Sequence, residues 1–229
     1  MLSRALLSRR RAVLLTAAAL VCALVATGVI AARASANMSK CQRYAAASEK
    51  RAHQVTGSGE RVVVIGDSWS AGLGLDRPAQ SWPSYLPGRV HVAGFSGSGF
   101  SAKASPCGPV SFADRTPAAL RNGADLIVVE GGLNDFDRSR AEIRAGFVRV
   151  VKAAAAYDVV VVGPASAPAR ARQVPRVDRL LRHLSEKYGV SYVSTADLDL
   201  PYLDDKLHLT AKGHRIFGDA VAARIALLG

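Results

Sequence analysis

The sequence predicts an α/β fold, a sheet of parallel strands with helices on both faces. Two observations lead there. From Arg61 onward, short apolar runs alternate with longer stretches whose apolar residues recur every three or four positions. The first run, Val62-Val63-Val64-Ile65, is entirely β-branched and carries no polar alternation, as expected of a strand covered on both faces. Strands that alternate with helices connect through right-handed crossovers, which leaves neighbouring strands parallel.

The elements follow in order. Residues 1–11 carry four arginines and no acid, and Ala12 to Ala32 has no charge at all. Such a segment is either a secretory signal peptide or an N-terminal membrane anchor. About 20 uncharged residues suit a spanning helix, whereas Ala34-Ser35-Ala36 fits a small-x-small cleavage site. Either way residues 1–36 imply an extracytoplasmic domain, membrane-anchored or secreted, with the basic flank left in the cytoplasm. Residues 37–60 read as a linker or stalk, with a helix around Cys41 to Arg51 ended by Thr56-Gly57-Ser58-Gly59. Strands are expected at Arg61–Ile65, Arg89–Ala93, Asp125–Val129, Asp158–Val162 and Val190–Val193. Helices are expected at Ser139–Tyr157, at Ala171–Tyr188 with its regular part from Pro175, and at Thr210–Leu228 with Thr210 as N-cap. The folded domain is thus expected over residues 61–229.

Charge and cysteines narrow the function. The chain has 30 basic and 18 acidic residues, and residues 1–36 hold five of the basic ones and none of the acids, so the remainder carries a net charge of +7. That balance suits an anionic surface or no particular partner. Nucleic acid is not expected, because the arginines are scattered and no nucleic-acid motif accompanies them. Cys41 and Cys107 could form a disulfide in an oxidising compartment, although sequence gives no distance between them. Neither has the companion ligands of a metal site, and no cofactor motif is present: the glycines of Gly94-Phe95-Ser96-Gly97-Ser98-Gly99 lack dinucleotide-binding spacing.

Four stretches at strand ends carry candidate chemistry. Gly66-Asp67-Ser68 stops the first strand, where Ser68 meets the crevice beyond the strand ends or Asp67 or Ser68 merely caps a helix. Gly94 to Gly99 is either a flexible turn or a loop that aims backbone N–H groups at a developing negative charge. Gly131-Gly132-Leu133-Asn134-Asp135 ends the third strand. Its Asn134 can donate to an oxyanion or serve a turn, while Asp135 or Asp137 fits a helix cap. Asp205-Lys206-Leu207-His208 precedes the last helix; an Asp three residues before a His can hold its Nδ1–H and leave Nε2 free to take a serine proton. Asp204 is the nearest substitute. His53, His91, His183 and His214 are assigned no role. The segments Ser101–Pro117 and Trp82–Pro87 are expected to line a pocket.

Taken in order, these blocks resemble those of the SGNH, or GDSL, hydrolase superfamily over Arg61 to the C-terminus. The resemblance implies a three-layer sandwich around a five-stranded parallel, flavodoxin-like sheet. It implies Ser68, Asp205 and His208 as catalytic residues, an oxyanion hole made by Ser68, Gly97 and Asn134, and no cofactor or metal. The second block departs from the family by lacking a polar residue shortly before Ser96-Gly97, which leaves Gly94 as an alternative to Gly97. The implied activity is that of an exported serine esterase acting on an O-acyl ester of a carbohydrate or lipid. An acyltransferase acting on an envelope glycan and a non-catalytic wall-binding module are the other readings.

Overall fold

The computed structural model describes residues 17, 20–22, 27–28 and 39–228, which fall into two units, Met1–Arg43 and Tyr44–Gly229. The described residues of the first unit are all helical. The expected signal or anchor lies almost wholly outside the described residues, and among those described no helix is long and apolar enough to cross a membrane.

The second unit is built on five parallel strands, β1 (Arg61–Gly66), β2 (Arg89–Gly94), β3 (Leu126–Glu130), β4 (Asp158–Val162) and β5 (Ser191–Val193), in the spatial order 2-1-3-4-5. Each expected strand is present within one residue at either end. The register pairs Val62 to Ile65 with Val90 to Ala93 on one side and with Leu126 to Val129 on the other, so β1 is central. Its side chains then alternate between two cores. Val62 and Val64 join Trp69, Trp82 and Phe217 on one face, while Val63 and Ile65 join Phe100, Phe112 and Phe147 on the other. This is why the run shows no polar alternation: both faces are covered.

The helices fill the outer layers. Helical residues 44–52 (α1) open the unit, and the short helix Ser68–Ala71 (α2) follows β1. On the Phe147 side lie Phe112–Ala119 (α3), Arg140–Ala153 (α4) and Val174–Tyr188 (α5), the last burying Val177, Leu180, Leu181 and Leu184. Full burial of each such side chain stabilises by about 1.5–3 kcal/mol. Ala211–Ala226 (α6) covers the other face through Phe217 and Val221, with Thr210 capping it by accepting the Gly213 N–H at 3.1 Å.

Several elements differ from expectation. Helix α3 occupies part of the segment read as an irregular pocket wall, nucleated by a capping box in which Ser111 and Asp114 satisfy each other's backbone N–H groups. Helix α4 is capped by Ser139 with Glu142, not by Asp135 or Asp137. Trp82, expected at a pocket, is fully buried in the core. Compact structure also begins at Tyr44 and not at Arg61: Arg51, in the stretch read as a linker, is fully buried and donates to Ser81 Oγ, the Gln54 carbonyl and Ser84 Oγ. Cys41 and Cys107 are both disulfide-bonded, and Cys22 is free.

Candidate active site

Because all five strands run the same way, the four candidate stretches emerge at one end of the sheet. The first is a tight strand-to-helix turn. Strand β1 ends at Gly66, where a side chain has no room: an added Cβ would lie 2.0 Å from Ser70 Oγ and 2.9 Å from a Glu130 carboxylate oxygen. Asp67 then caps α2, accepting the Trp69 N–H on Oδ1 at 2.9 Å. Ser68 is the first residue of that helix and is 6% exposed. Capping and presentation are therefore divided between neighbours, Asp67 holding the turn and Ser68 sitting on it.

The partner loop comes from the far end of the chain. Tyr202 bridges Leu209 across a narrow turn, and the Leu203 N–H donates to the His208 carbonyl at 2.7 Å. Within the turn Lys206 adopts a left-handed φ of 58°, which brings Asp205 back under the imidazole. Asp205 Oδ1 accepts the backbone N–H groups of Leu207 and His208, both at 2.9 Å, and Oδ2 lies 2.5 Å from His208 Nδ1. Partial burial opposes ionisation of Asp205, but the hydrogen bonds from His208 and the two backbone N–H groups hold its pKa down to about 2. His208 Nε2 lies 3.1 Å from Ser68 Oγ, across 140 residues of sequence. The indole N–H of Trp69 donates to the Leu207 carbonyl at 3.1 Å and ties the two loops together directly.

Gly97 and Asn134 reach the same place from β2 and β3. The Ser98 N–H donates to the Phe95 carbonyl at 3.1 Å, and Gly97 is the third residue of this turn with φ of 80°, a conformation that favours glycine. Gly94 instead ends β2, packed so tightly that an added Cβ would meet the Ala71 backbone at 2.6 Å. Asn134 donates through Nδ2 to the Ser98 carbonyl at 2.9 Å and to Asp67 Oδ2 at 3.1 Å. Asn134 thus spans the flanking residues of Ser68 and Gly97. Both amide hydrogens have acceptors here, so donation to a third acceptor requires one of these bonds to open.

Beneath these residues lies a layer of buried ionisable groups to which no catalytic role was assigned from the sequence. Burial raises the Asp67 pKa to about 6, against the pull of the Trp69 N–H, His208 and Arg115. Burial also raises Glu130 well above the ordinary glutamate range, with Asp67 adding to it, while Ser70 Oγ donates to its carboxyl at 2.8 Å. Asp135, read as a helix cap, is fully buried and accepts the N–H groups of Phe100 at 3.0 Å and Ser101 at 2.8 Å, its pKa raised by burial to about 7. Arg115 of α3 donates to the carbonyls of Gly66, Ala93 and Val110 and to Ser98 Oγ. His214, assigned nothing, is buried in the Trp82 core, where its Nδ1 accepts the Trp82 N–H at 3.3 Å. Only Ser111 with Asp114 hinted in the sequence at the helix that delivers Arg115.

The model of the GDSL-like lipase/acylhydrolase family matches residues 64–216, which contain every one of the candidate stretches. No curated protein matches the chain. Among solved structures, a carbohydrate acetylesterase from Sinorhizobium meliloti is similar at 21% identity with a TM-score of 0.62, covering 75% of this chain and all of its own. An aryl esterase from M. smegmatis is similar at 20% identity with a TM-score of 0.61, again over 75% of this chain and all of its own. These likenesses show a shared fold.

Proposed function

The chain belongs to the GDSL-like lipase/acylhydrolase family and is a carboxylic ester hydrolase, and from there we propose that it is an exported serine esterase in which Ser68, His208 and Asp205 carry the reaction. One observation supports this above others: a continuous contact chain of 2.5 Å from Asp205 to His208 and 3.1 Å from His208 to Ser68. Asp205 fixes the imidazole with its proton on Nδ1. Nε2 takes the hydroxyl proton as Ser68 Oγ bonds to the ester carbonyl carbon. The resulting oxyanion is held by the backbone N–H groups of Ser68 and Gly97 and by Asn134 Nδ2 once it releases one of its two resting acceptors, each such donor lowering the barrier by on the order of 3 kcal/mol. The C–O bond to the alcohol then breaks and His208 returns the proton to the leaving oxygen. Water repeats the sequence on the acyl-enzyme, regenerating Ser68 and releasing the acid.

The substrate in this reading is an O-acyl ester of a carbohydrate or lipid outside the cytoplasm. The arginine-rich start and the uncharged stretch from Ala12 to Ala32 support export, either secreted or held at the membrane. A net charge of +7 beyond residue 36 and the likeness to a carbohydrate acetylesterase support an acylated envelope component. A fluorophosphonate probe tests the nucleophile. The full-length protein is expected to be labelled at Ser68 and the Ser68→Ala variant to stay unlabelled; equal labelling of both ends the proposal.

A further inference from the structure

Three loops meet at the carboxyl end of the sheet, where an open α/β fold binds its ligands. One carries Asn134, one carries Asp205 and His208, and the third follows β4. This third loop is wedged between the other two. Pro164 lies against Gly132, whose added Cβ would stand 3.2 Å from Pro164 Cδ, and the Ala169 N–H donates to the Lys206 carbonyl at 2.9 Å. At its tip, Pro168–Arg170, the Arg170 guanidinium is stacked 3.6 Å from the ring centre of Phe136, two residues beyond Asn134.

The hydrogen bonding of that guanidinium is incomplete. Arg170 Nε is buried without a partner among the described residues, and Nη1 makes only a 3.3 Å contact to the carbonyl of its own neighbour, Ala169. The acid it influences electrostatically is Asp137, which is already paired with Arg138 through both nitrogens of a fork, Nε to Oδ1 at 2.7 Å being one arm. Arg176, the next arginine along, is spent on the carbonyls of Asp135 and Phe136. Arg170 therefore holds a planar, pre-oriented set of donors whose charge has no dedicated counter-ion, on the rim between the oxyanion-side loop and the histidine loop. A buried donor with no acceptor costs stability, and a planar fork matches a carboxylate in two-point geometry.

Resting on the esterase reading, we propose that Arg170 is a specificity-determining residue that binds a carboxylate on the substrate, so that the preferred substrates are esters bearing a carboxylate away from the scissile bond. A carboxylate is favoured over a phosphate because the neighbouring arginines are engaged, Arg138 by Asp137 and Arg176 by backbone carbonyls, which leaves a single fork. Phe136 holds the guanidinium flat, and the bound carboxylate supplies the counter-ion that its charge lacks.

The test compares matched ester pairs on the full-length protein: 4-acetoxybenzoate against its methyl ester, with the charge on the alcohol side, and mono-4-nitrophenyl glutarate against 4-nitrophenyl butyrate, with the charge on the acyl side. In at least one pair the ratio of kcat/KM, anionic over neutral, is expected to fall roughly tenfold in Arg170→Met, mainly through KM. An unchanged ratio in both pairs overturns the proposal. Benzoate binding is read separately from turnover, through the NMR resonance of Arg170 Nε–H, identified by its loss in Arg170→Lys. A saturable shift with benzoate and none with benzamide is expected, and no shift with benzoate also overturns it. If no ester of either charge is cleaved, the esterase reading fails while the benzoate titration still decides the role of Arg170.

Discussion

Asp205 carries two duties on its two oxygens, and they have different consequences when it is changed. Oδ1 shapes the turn by accepting two backbone N–H groups, and Oδ2 meets His208 Nδ1 at 2.5 Å, where in the proposed mechanism it fixes the tautomer. Asp205→Asn keeps the size but offers only one oxygen, so either the turn or the imidazole loses its partner. We expect kcat to fall by roughly 10³–10⁴ with KM little changed, measured by steady-state hydrolysis of a nitrophenyl ester. Asp204→Asn, one position earlier, is expected to stay within about twofold, and a comparable loss there would move the orienting role to Asp204. The sequence made Asp205 legible because a three-residue spacing before a histidine is a local property. It left Asp67, Glu130 and Asp135 illegible as buried acids, because burial of a carboxyl depends on which strand and loop lie beside it.

Elements tell a similar story. Strands β1 to β5 were legible from their apolar runs, and α5 from its regular spacing. Helix α3 was not, because it is short, contains Pro117 and follows a glycine- and proline-rich loop. Yet α3 delivers Arg115, which gathers the carbonyls of Gly66 and Ala93, at the ends of β1 and β2, together with the Ser98 hydroxyl. Burial lowers the Arg115 pKa only to about 10, so it stays cationic at neutral pH. Arg115→Met removes a charged donor from three carbonyls and a hydroxyl, of which the Gly66 carbonyl keeps the Phe95 N–H. We expect a loss of ~2–4 kcal/mol in urea denaturation, together with a lower kcat as the Ser98 turn, which also anchors Asn134, loosens. Unchanged stability and kcat would mean that the strand ends hold themselves.

For the molecule as a whole, the order and direction of the strands agreed with expectation, whereas the start of the compact unit did not. An alanine-rich segment closed by Gly-Ser reads as a tether, and nothing local announces that Arg51 will be buried against Ser81 and Ser84. The interior acids set a pH dependence on the whole fold. Asp135 has a folded pKa of about 7 against 3.8 in the ordinary case, so between those values the native state holds a proton that the unfolded chain has lost. Its contribution to stability is thus fully present below about pH 4 and is lost as pH rises through about 7. His214 runs the other way: burial lowers its pKa to about 4, so its contribution is present above 6.5 and is lost as pH falls through about 4. The two are separated by comparing wild type with Asp135→Asn in urea between pH 4 and 7. The variant is expected to lose stability less steeply with rising pH; parallel curves would place the proton elsewhere.

The 140-residue span between Ser68 and His208 has a consequence for the life of the chain. The turn that bears Ser68, the proposed nucleophile, belongs to the first strand to be synthesised in the second unit, but His208, its proposed proton acceptor, arrives only with the segment that leads into the final helix. Under the proposed mechanism a polypeptide that ends before His208 lacks the base for Ser68 and is expected to be inert, however well its early half has folded. Ester turnover is accordingly expected to report completion, beginning only once the segment that carries His208 has docked against the Ser68 turn.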